Sequence, residues 1–84
     1  MIEQLLAKIE NFLNDRNADA LKFSIEVEDY LLEAYDDMMK EDAVVTYLMN
    51  EKLPDICAAY EVGIDILEFK RQIEAEYKLI LQLL

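Results

Sequence analysis

One glycine and one proline in a chain of 84 residues constrain this protein more than any other feature. Ordinary domains use several times more of both, because glycine supplies positive φ and proline presets chain reversals. An all-β fold needs such residues at every connection, so it is nearly excluded. Long helices joined by a few short turns remain. A chain this short buries a modest share of its surface, so its core must be efficient. An apolar fraction of 55 %, including eight aromatic residues, supplies that core and argues against intrinsic disorder.

Hydrophobic spacing places four amphipathic helices along the chain. The first carries Ile2, Leu5, Leu6, Ile9, Phe12 and Leu13 and ends near Asn14. After the polar break Asn14-Asp15-Arg16-Asn17, Asn17 is the expected N-cap of a second helix over 18–40, with Asp19 in its first turn. Its apolar stripe is Ala20, Phe23, Val27, Tyr30, Leu31, Ala34 and Met38. Asp42 is the expected cap of the third helix, in which Val45, Leu48, Met49, Leu53, Ile56, Cys57 and Tyr60 hold one phase past Pro54. Proline deletes a helical hydrogen bond and clashes with the preceding turn, so this helix is either kinked or split at Pro54. The unbroken phase favours a kink. Gly63 suits a left-handed helix terminus. Asp65 and Glu68 then form a capping-box pattern, with Ile64 and Phe69 as a hydrophobic staple. The fourth helix runs from Ile66 to about Gln82 and is expected to bury Phe69, Ile73, Tyr77, Ile80 and Leu81. The expectation is an all-α fold, a small antiparallel four-helix bundle forming a single domain over 1–84.

The charge balance narrows the chemistry. Nineteen acids against eight bases give −11, with no histidine. Direct nucleic-acid binding requires a basic face, so it is disfavoured, and a positively charged partner is the complement. No His/Cys metal cluster and no acidic calcium loop can be assembled, and no cofactor is implied. Cys57 stands alone in an apolar phase and reads as a small buried side chain. No apolar run reaches bilayer length and nothing at the start reads as a signal peptide, so the expected location is cytoplasmic.

A second stripe on the second helix carries no apolar residue at all. Glu26, Asp29, Glu33, Asp36 and Asp37 recur three or four apart on the side away from the core, with Lys22 and Lys40 only at the ends. Like charges at that spacing cost a few tenths of a kcal/mol per pair. Either this is the solvated face of an acidic protein, or it is a docking strip for a basic one. Glu51 and Asp55 make a smaller pair on the third helix. If the two helices are neighbours, the two strips form one broad acidic surface. Tyr35 and Tyr47 lie off the main stripes and are candidate interface anchors. Acid–base catalysis by paired carboxylates needs a cleft that raises one pKa, and so small a bundle has little room for one. The expectation is therefore not an enzyme.

The order of features resembles the colicin D-type immunity proteins, a bacterial self-protection family. The similarity is carried by Phe12-Leu13, a polar turn, the run Asn17-Ala18-Asp19-Ala20-Leu21-Lys22-Phe23, the stretch Cys57-Ala58-Ala59-Tyr60, then Ile64-Asp65 and a closing helix with Phe69-Lys70-Arg71 and Tyr77. It spans essentially the whole chain and rests on helix pattern rather than on catalytic residues. Pro54 departs from the pattern. The resemblance implies a four-helix bundle that binds the basic nuclease domain of a cognate tRNA-cleaving toxin and covers its substrate site; the expected state is a monomer or weak homodimer. The contact residues assigned here are Glu26, Asp29, Glu33, Asp36, Asp37, Glu51 and Asp55. The competing expectation is a small acidic adaptor or regulatory bundle that self-associates or docks on a partner helix.

Overall fold

The computed structural model describes residues 1–61 and 65–84. They form four helices, α1 (Ile2–Asn14), α2 (Ala20–Glu41), α3 (Ala43–Glu61) and α4 (Ile66–Leu83), and 89 % of them are helical. Each helix packs on its neighbours in sequence and α4 closes back on α1, so the four make a ring around one core. Short connections fold successive helices antiparallel. The radius of gyration of 12.0 Å equals the roughly 12 Å expected of a compact chain this long.

The core follows the expected stripes closely. It takes Ile2, Leu5, Leu6, Ile9 and Phe12 from α1, and Ala20, Phe23, Val27, Leu31, Ala34 and Met38 from α2. Val45, Met49, Leu53 and Cys57 come from α3, and Phe69, Ile73 and Ile80 from α4. Each fully buried Leu, Ile, Phe or Met contributes about 1.5–3 kcal/mol relative to its exposed state. Seven residues depart from the expectation: Leu13, Leu48, Ile56, Tyr60 and Tyr77 are only partly buried against this core, as is Tyr30, and Leu81 is exposed. The Tyr30 hydroxyl donates to the Met1 carbonyl at 2.6 Å.

All three phenylalanines meet at one end of the ring. Phe12 and Phe23 stack with ring centres 3.9 Å apart, and Phe69 meets both edge-on at 5.6 and 6.2 Å. Tyr60 closes the cluster from α3, 4.8 Å from Phe69. Such pairs add about 0.5–1.5 kcal/mol beyond burial. Lys70 lies 5.3 Å above the Phe12 ring and donates to the Asp15 carbonyl at 2.7 Å, tying α4 to the α1–α2 turn.

Helix boundaries bring one correction. The cap of α2 is Asp19, not Asn17: Asp19 Oδ1 accepts the Lys22 N–H at 3.1 Å, and the helix starts at Ala20. Asn17 is drawn into a preceding turn instead, its N–H donating to Asp15 Oδ1 at 2.9 Å. Asp42 caps α3 as expected, accepting from Val45 N–H at 3.1 Å. Asp65 caps α4, accepting from Glu68 N–H at 3.0 Å. Only that half of the capping box forms, since the Glu68 carboxylate turns to Arg71 instead. Gly63 and Ile64, expected to terminate α3 and staple α4, lie outside the described residues. α3 is one helix running through Pro54, so the split alternative does not hold.

Candidate functional site

Helical phase alone builds the candidate site. At about 100° per residue, Asp29, Glu33 and Asp36 point directly away from the buried stripe of α2. Glu26 and Asp37 lean toward α1, and Glu26 lines the α1–α2 groove beside Lys22 and Lys8. All five carboxylates are exposed, as are Glu51 and Asp55 on α3. Three ion pairs occur among the described residues: Glu41 with the Met1 amine, Glu68 with Arg71, and Glu74 with Lys78. None uses the seven predicted site residues. Their charge is therefore not neutralised by a neighbouring base.

The electrostatic work inside the fold falls to other acids. The Met1 amine and the Ile2 N–H both donate to Glu41, at 2.9 and 3.1 Å, and hold its carboxyl below the usual range. This carboxylate thereby caps the start of α1 from the far end of α2, where the helix dipole favours an anion. Hydrogen bonds from Arg71 and Gln72 bring Glu68 down to about 2. Burial pushes Glu76 up, with Lys52 opposing the shift. A carboxyl displaced upward suits proton transfer only when a cleft gives a substrate access to it. The grooves on this molecule are open and shallow, and Glu76 lines none of those on α1, α2 or α4.

The helices α2 and α3 are neighbours, yet their acids do not merge into one broad surface. The seam between them is lined by Leu31, Leu32, Tyr35 and Asn50, with Glu33 and Asp36 at its margin. Leu21 and Ile25 continue the same flank of α2 and are exposed. Tyr47, exposed on α3, faces the same seam by its phase. An acidic margin on α2 thus borders an apolar seam, and Glu51 and Asp55 stand apart on the outer face of α3. The sequence singles out Tyr35 and Tyr47 as off the main stripes, without placing them at this seam, and passes over Leu21, Ile25 and Leu32. Their signal was present: three large apolar residues at i, i+4 and i+11 left over once the core stripe was assigned.

The bases are distributed unevenly as well. Lys70, Arg71 and Lys78 share a groove on α4 with Leu13 and Leu67, on the helix diagonal to α2 in the ring. No helix among the described residues is long and apolar enough to cross a membrane. Comparisons with protein-family models, curated proteins and solved structures return no match to this chain.

Proposed function

We propose that this chain is an immunity protein that neutralises a bacterial RNase toxin in the cytoplasm by covering the toxin's basic substrate-binding site with the outer face of α2. One observation carries the reading. Glu26, Asp29, Glu33, Asp36 and Asp37 form an exposed row with no ion-pair partner, on a helix whose opposite side already completes the core. A nuclease groove is positive because it binds phosphates, and an acidic helix face of about three turns is its electrostatic complement. Long-range attraction also accelerates the encounter, which matters for an inhibitor that must act before substrate is cleaved. No histidine and no metal-ligand cluster enters this mechanism; the chain acts by occupancy. The resemblance to colicin D-type immunity proteins points the same way.

The test uses the toxin encoded beside this chain's gene, through its C-terminal nuclease domain. Glu33→Lys with Asp36→Lys should weaken binding by at least about tenfold while leaving the circular dichroism spectrum unchanged. Glu3→Lys with Glu74→Lys changes net charge equally on α1 and α4 and should have a smaller effect. Equal losses from both pairs would reduce the binding to bulk acidity. A neighbouring gene that encodes no basic nuclease domain would remove the reading altogether.

The exposed apolar seam favours a second reading, an acidic adaptor that docks on a partner helix. The two readings share Glu33 and Asp36, which belong to the acidic strip and also line the seam.

A further inference from the structure

The outer face of the α2–α3 pair carries more apolar surface than its finished core accounts for. Leu32 is 82 % exposed, Leu21 and Ile25 are 50 % and 49 % exposed, and Tyr47 is 60 % exposed. Their spacing puts the three α2 residues on one flank, interrupted by the half-buried Glu28. Isolated exposed leucines need no explanation, but aligned ones beside an exposed tyrosine mark an interaction surface. Between them runs the open groove lined by Leu32, Tyr35 and Asn50, of about 310 Å³. Two antiparallel helices with such a groove offer the ridges into which a third helix packs.

The margins decide which occupant fits. Glu33 and Asp36 line the seam from α2, while Glu51 and Asp55 lie about 100° and 140° around α3 from Asn50, on its outer face. A second copy of this chain would set acidic margin against acidic margin, between two molecules each carrying −11. An anionic lipid surface meets the same repulsion. A helix with one apolar stripe and Lys or Arg along one flank satisfies the seam and its acidic α2 margin together. We infer that the α2–α3 face docks a cationic amphipathic helix of a partner protein, its apolar stripe seated on Leu32 and Tyr47 and its basic flank against Glu33 and Asp36. This rests on the reading of the chain as a binder of basic proteins, and adds to the acidic strip an apolar seam that the strip itself does not use.

Two labelled peptides of about 18 residues, long enough for a five-turn helix, provide the probe. One places leucines at i, i+3, i+4 and i+7 with lysines flanking; the other scrambles the same composition. Titrated with the full chain at about 0.15 M salt, the ordered peptide should bind at least about tenfold tighter than the scrambled one. It should gain helical dichroism on binding. Leu32→Ser with Tyr47→Ser, both at exposed positions, should remove about tenfold or more of that affinity and leave nuclease-domain binding unchanged. Equal binding of the two peptides, or full affinity in the double variant, would overturn the inference. So would a concentration-dependent dimer in sedimentation that the same double variant abolishes, because the occupant would then be a second copy. Failure of the unsubstituted chain to bind the ordered peptide, with the nuclease domain still bound, defeats this inference alone, and the converse defeats the immunity reading alone.

Discussion

Aspartate starts three of the four helices. Asp19, Asp42 and Asp65 each accept the N–H three residues on, at 3.1, 3.1 and 3.0 Å, relieving one of the donors that a helix start leaves unsatisfied. α1 has no such residue, and the Glu41 carboxylate arrives from α2 to do the same work. Each Asp→Ala substitution at 19, 42 and 65 should cost about 0.5–2 kcal/mol, read by urea denaturation followed at 222 nm. Asn17→Ala should stay within about 0.5 kcal/mol, since that side chain caps nothing. Equal losses at Asn17 and Asp19 would return the cap to Asn17.

Pro54 sets the character of α3. Its ring removes the bond that residue 54 would give to the Asn50 carbonyl, one turn earlier. Asn50 is exposed at the seam, where water is at hand, and Val45, Met49, Leu53 and Cys57 stay buried on both sides of the proline. Continuous burial along one phase keeps the helix whole where local chemistry would break it. Pro54→Ala should therefore stabilise the protein, by about 1–2 kcal/mol once the greater freedom of the unfolded chain is subtracted. A destabilised variant would show that the half-buried ring itself is needed for packing.

The charge of the whole molecule works against its fold and for its binding. A compact body carrying −11 repels itself, and the three ion pairs among the described residues are all exposed, so salt takes little stabilisation from them. Raising sodium chloride from about 0.02 to 0.5 M should lift the thermal midpoint by about 3–6 °C while weakening association with any basic partner. A midpoint that falls with salt would mean that the ion pairs, not self-repulsion, dominate. Opposite signs for folding and binding are the expected signature of acids placed for a partner rather than for stability.

Helix number, helix phase and the buried stripes were legible in the sequence, because period-3.6 spacing and aspartate caps are local and each is set by a few adjacent residues. The acidic row on α2 was legible for the same reason. Three other features needed the tertiary structure. Asn17 and Asp19 are chemically near-equivalent as caps, and only the turn that captures Asn17 through Asp15 chose between them. The meeting of Phe12, Phe23 and Phe69 depends on which helix ends come together, a long-range outcome that spacing within one helix does not encode. The separation of the α2 acids from Glu51 and Asp55 depends on how α2 is rotated about its own axis against α3. That rotation turns Leu32 and Tyr35 into the seam, and it is settled by the packing of whole helices around a shared core rather than by any residue's own preference.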